Sequence, residues 1–260
     1  MEQQFDITYV FDFLPKLVSY LHITLFIVAC SMLLGVMIGF LIALPRLYEV
    51  PVLRRISQIY VSFFRGTPIL IQLFLIYYGL PEMLKLIHVD VSKAPVLTFV
   101  ILTFGLHSGA YISEVIRAAV KAVDRGQVEA AYAIGMTGYQ AFTRIIMPQA
   151  LAISIPNFAN LLIANLKDTS LAFSLGAMEL MGKAQTLGAA TQHFIETYIC
   201  LSLIYFVICY GLEKLFLDLE KRLLRHEQPI VQRDSKLIFR RLFKTPWAAS
   251  AQTEKGGYQP

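Results

Sequence analysis

The 260 residues predict an all-α integral membrane protein with about five transmembrane helices, and three observations carry that reading. Hydrophobic residues make up 56% of the chain and charged residues only 16%, against roughly 25% charged in an ordinary soluble domain. The apolar residues gather into five runs close to the ~20 residues that a membrane-crossing helix needs. Positive charge is also one-sided. With the N-terminus outside, only Lys16, Lys85, Lys93, Lys167 and Lys183 face outward, and every arginine lies on the inner side with the C-terminus.

The first run, about 20–44, follows Glu2, Asp6 and Asp12 and stays free of Lys, Arg, Asp and Glu between Lys16 and Pro45. A signal-peptide core is only about 7–15 residues long, so this run reads as a retained span. The others cover about 62–80, 95–116, 149–166 and 194–217. No fixed-period repeat or low-complexity linker divides them, so 1–225 reads as one membrane domain and 226–260 as a basic and polar cytoplasmic tail. In that tail Leu237, Phe239, Leu242 and Phe243 interleave with Lys236, Arg240, Arg241 and Lys244. They fit either an amphipathic segment on an anionic inner leaflet or a solvated, disordered tail. The basic pI of about 9.0 does not point to nucleic acid, because the cations sit between apolar runs rather than on one polar face. Cys30, Cys200 and Cys209 are far apart inside apolar runs and offer no metal or redox spacing.

The inner connection between the third and fourth runs is the most ordered loop. Asp124 followed by Gln127, and Thr137 followed by Gln140, both have the spacing of capping boxes that start helices. Gly135 stands where a C′ glycine ends the first helix. The spacing predicts a short helix carrying Glu129, Ala130, Ala131 and Ile134, a sharp turn, and a second helix leading through Ile145 to Pro148. Alanines admit a close neighbour, Ile134 offers an apolar anchor, and a carboxylate near a helix N-terminus is favoured by the dipole. Together they describe a docking element.

Glu129-Ala130-Ala131, then Gly135, Ile145 and Met147-Pro148, resembles the EAA loop of bacterial ATP-binding-cassette (ABC) import permeases, with Met147 where that family usually has Leu. Phe64-Arg65-Gly66-Thr67-Pro68-Ile69-Leu70-Ile71-Gln72 resembles the FRGTPxLxQ signature of its polar amino-acid members. Leu166-Lys167-Asp168-Thr169-Ser170-Leu171 resembles their LxKxTSL. The resemblance covers about residues 18–225. It implies a multi-pass permease of the bacterial cytoplasmic membrane that is not itself an enzyme. Its implied partners are two ATPase subunits, a second permease chain (identical or closely related) and an extracytoplasmic amino-acid-binding protein. The implied mechanism is alternating access, with the EAA loop as coupling helix, and ion-coupled secondary transport is the alternative. No Walker A, HExxH or GxSxG sequence occurs, so no cofactor, metal or catalytic residue is expected in this chain.

Polar residues inside the spans supply candidates for the path, since such groups face a bundle interior or a water-filled route. Gly66 and Pro68 break or kink the second run near its inner end, where Arg65 snorkels; these three read as structural. Thr67 and Gln72, one turn deeper, are path candidates. Glu114 and Arg117, three apart on one helix face, read as a structural pair, with Ser108 and Tyr111 further out on the path and His107 as a packing residue. In the fourth run Asn157 and Asn160 share a face. They serve either the path or inter-helix hydrogen bonding, as does Asn165. Lys167, Thr169 and Ser170 lie at its outer end, where Lys167 and Asp168 meet arriving substrate or anchor the interface. The absence of a fixed charge at mid-membrane favours a zwitterionic amino acid such as glutamine or cystine.

Overall fold

The computed structural model describes residues 5–223, and among them all regular structure is helical. Nine helices follow in order: α1 (Thr8–Val18), α2 (Leu21–Leu47), α3 (Pro51–Gly66), α4 (Ile69–Lys85), α5 (Val96–Ala122), α6 (Arg125–Ala133), α7 (Gly138–Leu175), α8 (Leu180–Thr191) and α9 (Phe194–Leu223). Four of them (α2, α5, α7 and α9) are long and apolar enough to cross a membrane, and the bent pair α3–α4 makes a fifth span. Among the described residues the compact body extends to Glu220. The amphipathic tail segment around 236–244 lies outside the described residues.

Proline sets several helix starts. Pro51, Pro68 and Pro95 each stand at or just before an N-terminus, where a missing N–H costs nothing and the preceding residue is driven extended. Pro148 sits inside a continuous helix instead. The π-helical turn Phe142–Ile146 immediately before it absorbs the disturbance, so α7 runs on to Asp168 and tightens into a 3-10 turn over Thr169–Leu175.

α2 and α5 form the backbone of the fold, and they touch through glycine. Gly35 and Gly39 face Gly105 and Gly109, four residues apart in each helix. A Cβ on Gly39 would lie 2.7 Å from Ile112, and one on Gly109 would lie 2.8 Å from Ile38. Leu34 meets Gly105 while Ile38 meets Gly109, so residue numbers rise together and the two helices run parallel. Small residues at this spacing let backbones approach closely where lipid supplies no hydrophobic drive. Parallel α2 and α5 require the chain to cross back once between them, and α3–α4 does so.

That return crossing departs from expectation. The second run reads in sequence as one span with its break near the inner end. In the structure α3 and α4 are bent by 112° at Thr67 and Pro68. The Tyr60 hydroxyl donates to the Leu106 carbonyl, and Arg65 stacks over Tyr111. These contacts place the break beside residues 106–111, near the middle of the 27-residue α5. Gly66 and Pro68 signal a break, but hydropathy records composition and not the direction of the axis, so the angle and depth of the break are not in the sequence pattern.

Buried clusters tie the far end, opposite α6, to this frame. Val10, Phe13 and Leu17 of α1 pack on Leu180 and Ala184 of α8 and on Cys200, Leu201 and Ile204 of α9. Ile27, Leu73, Val100 and Phe104 pack with Ala172 and Leu175. Glu179 is 0% exposed in the turn before α8. Its carboxylate accepts from the Gly182 amide and the Thr24 hydroxyl, joining α2 to α8. Burial pushes its pKa above the ordinary value, while the backbone amides of Met181, Gly182 and Leu180 oppose that shift. Glu179→Ala, which leaves these donors buried and unpaired, is expected to destabilise the protein by about 1–3 kcal/mol. Glu179→Gln, which retains an acceptor and a donor, is expected to cost clearly less. Thermal melting of the purified variants in detergent checks the order.

Candidate coupling loop and translocation path

The loop after α5 is built as its spacing predicts, with one difference in the first cap. Asp124 accepts from the Gly126 amide at 2.7 Å, but Gln127 does not complete a box; its side chain accepts from Gln149 of α7 at 2.6 Å. Thr137 and Gln140 form the full reciprocal box at the start of α7. Gly135 has φ +83°, and its amide and that of Met136 cap the carbonyls of Tyr132 and Ala131. Only glycine takes this left-handed conformation without steric cost.

The faces of α6 are unequal. Ile134 is 75% exposed, and Tyr132 and Tyr139 stand beside it in sequence as further exposed rings. Glu129 and Ala130 are exposed as well, whereas Ala131 is 3% exposed and packs inward. Ile145 is half-buried, and Pro148 is exposed on α7. An open cavity of about 550 Å³ between α6 and the end of α5 is lined by Lys121, Arg125, Glu129, Tyr132 and Ile146, among others. Large apolar and aromatic side chains held outward on a short capped helix have the form of a docking surface.

Gln72 and Thr67 occupy places that the sequence does not disclose. Gln72 is 1% exposed. Its amide nitrogen donates across the break to the Phe64 carbonyl at 2.9 Å, the Thr67 carbonyl at 3.0 Å and the Thr67 hydroxyl at 2.8 Å. The unpaired backbone groups of a broken helix need such partners in lipid. The Gln72 amide oxygen lies 2.9 Å from His107 Nδ1. Gln72 therefore stands behind a cavity wall, and His107 stands in it.

That cavity, about 180 Å³, is lined by His107, Ser108 and Tyr111 of α5 and by Leu161, Ala164, Asn165 and Asp168 of α7. Asn165 forms part of its floor and receives two helices at once: it donates to the Ser108 hydroxyl at 2.7 Å and accepts from Ser31 of α2 at 3.2 Å. Asn165→Leu leaves both hydroxyls buried without their amide partner. We expect a loss of about 0.6–1.7 kcal/mol, the scale of a membrane hydrogen bond, read as a lower melting temperature.

Asn157 and Asn160 are exposed. With Leu161, Ala164 and Asp168 they follow the i, i+3, i+4, i+7 rule of a single helix face, so the two amides lie on the stripe of α7 that faces the cavity without lining it. Thr169 is buried and bonds back to Leu166, Ser170 caps the Lys167 carbonyl, and Lys167 itself is exposed beside the cavity. Of Lys167, Thr169 and Ser170, none lines the cavity.

Glu114 pairs with Arg117 at 2.7 Å and also with Arg46 of α2. The second partner is 68 positions away and leaves no local pattern. The glycine seam did leave one, the GxxxG spacing repeated in α2 and α5.

Residues 35–225 match the family described as binding-protein-dependent transport system inner membrane component. The chain is 45% identical over 231 residues to the L-cystine transport system permease protein TcyL of Bacillus subtilis (strain 168), covering 89% of this chain and 97% of that one. It is 32% identical over 219 residues to the putative glutamine transport system permease protein GlnP of Rickettsia typhi, covering 83% and 98%. A solved structure of an amino acid ABC transporter with histidines superposes with a TM-score of 0.76 and 32% identity, covering 85% of this chain and 100% of that chain.

Proposed function

This chain belongs to the family of binding-protein-dependent transport system inner membrane components, and on that premise we propose that it carries a zwitterionic amino acid inward, with cystine as the leading cargo. It is the permease subunit of an ABC amino-acid importer in the bacterial inner membrane, a transport subunit whose ATPase is a separate chain. The relatives named above give the ion-coupled alternative no support. Membership implies ATPase subunits, a partner permease and a binding protein. The proposed stoichiometry is two ATPase subunits below a pair of permease chains, with the binding protein above. In this assembly the N-terminus and the far end lie outside and α6 lies in the cytoplasm.

The observation that best supports the coupling role is Ile134, projected into solvent from a helix stopped by Gly135. Glu129, Ala130 and Ile134 meet the ATPase in this proposal. Ala131 faces inward, and Gln127 ties α6 to Gln149 of α7. ATP-driven approach of the ATPase subunits then acts on α6 as a differential interaction between two states of the spans.

The proposed path begins at the cavity between α5 and α7. Ser108 and Tyr111 present hydroxyls there and His107 an imidazole, while Asp168 suits an ammonium group. Below it the Asn157 and Asn160 amides offer weak, uncharged hydrogen bonds along the route. Weak sites in series release cargo as readily as they accept it. The proposal of cystine is supported by the 45% identity to TcyL and by the mixed, largely uncharged lining.

The test has two parts. Ile134→Cys is expected to cross-link to a co-expressed ATPase subunit, while Ala131→Cys reacts far less. Equal reaction at both positions, or none at Ile134 with the cognate ATPase, rejects the docking face. In proteoliposomes holding the complete transporter and its binding protein, L-cystine is expected to stimulate ATP hydrolysis more than glutamine or arginine. Stimulation by another amino acid alone rejects cystine and keeps the family.

A further inference from the structure

Arg65 has a setting that helix geometry does not explain. It ends α3 at the break, and its guanidinium carbon lies 5.3 Å from the centre of the Tyr111 ring. Tyr111 lines the cavity, and its ring lies 5.0 Å from that of His107. The side chain is exposed. Among the described residues Arg65 makes no ion pair, whereas Arg46 and Arg117 share Glu114.

An arginine near the centre of a span costs at least about 2.5–3.5 kcal/mol. Arginines in such positions snorkel, pair with a carboxylate or meet a ligand. Snorkelling is disfavoured, because contact with Tyr111 holds the charge beside the middle of α5. Pairing is not seen. The guanidinium also offers the planar fork that matches a carboxylate through two parallel hydrogen bonds.

Resting on the reading that this cavity handles an amino acid, we propose that Arg65 binds the α-carboxylate of the cargo and thereby makes the permease itself selective for amino acids over the corresponding amines. Arg65 does not itself line the cavity; Tyr111, which does, holds the guanidinium beside it by a cation–π contact. The broken helix is what brings it there: a straight span would carry Arg65 to the inner interface. In this proposal the cavity has an anionic group in its lining at Asp168 and a cation behind Tyr111 at Arg65, which swings in to meet the carboxylate of a zwitterion. This replaces the expectation that Arg65 is structural and that no fixed charge stands inside the membrane.

The experiment uses the permease–ATPase complex in nanodiscs without binding protein, so that the permease alone does the recognising. Equilibrium binding of radiolabelled L-cystine is compared with that of cystamine, its decarboxylated counterpart, for the wild type, Arg65→Gln and Arg65→Lys. Wild-type complex is expected to prefer L-cystine. Arg65→Gln is expected to weaken L-cystine binding by roughly tenfold or more, as loss of a charge-assisted hydrogen bond implies, while cystamine binding stays within about twofold. Arg65→Lys keeps the charge but loses the fork, and falls between them. Basal ATP hydrolysis and the melting temperature report whether each variant is assembled. Unchanged L-cystine binding in Arg65→Gln overturns the assignment, and so does an equal loss for both ligands, which marks a structural cation. If wild-type complex binds none of L-cystine, glutamine or arginine, the amino-acid reading of the cavity falls as well.

Discussion

Gly109→Leu is expected to remove the protein from the membrane fraction almost completely. Gly109 lies where α2 and α5 touch backbone to side chain, and even a Cβ there would stand 2.8 Å from the Ile38 Cγ2 and 3.2 Å from the Tyr60 hydroxyl. Ile38 is β-branched and cannot swing aside cheaply. Overpacking a core commonly costs about 1–3 kcal/mol. Here the cost is expected to exceed that range, because a whole helix has to move and three hydrogen bonds move with it: the part-buried Tyr60 bond to Leu106 and both buried bonds of Asn165. Gly39→Leu is expected to behave alike, since its Cβ would meet Ile112 at 2.7 Å. Gly211→Leu, where nothing lies within 4 Å of the added carbon, is the control. Membrane-fraction yield and melting temperature provide the readout. Wild-type yield and melting of Gly109→Leu would show that the seam is not tight.

Gly135→Val separates coupling from folding. The position has open space around it, so no clash arises, but its φ of +83° is strained for any β-branched residue. A left-handed conformation costs about 1–2 kcal/mol for an ordinary residue. The loop relieves that strain by unwinding the end of α6, which tilts Ile134 away from its present direction. We therefore expect normal amounts of assembled protein, loss of uptake, and ATP hydrolysis that no longer responds to substrate. Gly135→Asn, which tolerates the left-handed region, is expected to retain much of the activity. Uptake and substrate-stimulated ATP hydrolysis in proteoliposomes measure both. Wild-type uptake by the valine variant would refute a fixed coupling geometry.

The shape of the loop after α5 was largely readable because most of what shapes it is local, the exception being Gln127, which bonds Gln149 rather than completing a box. Asp124, Gly135, Thr137 and Gln140 each act within a few positions of themselves, and a spacing rule captures such effects. The spans were readable from composition, and Glu114–Arg117 from helical periodicity. The missing information is relational. Arg46 reaches Glu114 across 68 positions, and Glu179 meets Thr24 across 155. Gln72 looked like a lining residue because an amide inside a membrane must find partners. Its partners proved to be the frayed backbone of its own broken span. The depth of Arg65 depended on that break, whose angle no count of apolar residues contains. The repeated glycine spacing was present in the sequence, but only the fold shows that one pair of glycines faces the other.

The same glycines limit how the molecule can move. Two parallel helices this close cannot slide or roll without the side chains of one climbing over the backbone of the other, so α2 and α5 behave as a single spindle. In the proposed mechanism, exchange between outward and inward access then falls to the parts that bear on it: α7, and the two half-length arms α3 and α4, which meet at Thr67 and Pro68 and are pinned across the break by Gln72. The proposed path lies between a fixed axis and its flanks, and on the proposed coupling role a force delivered at α6 has few other places to go.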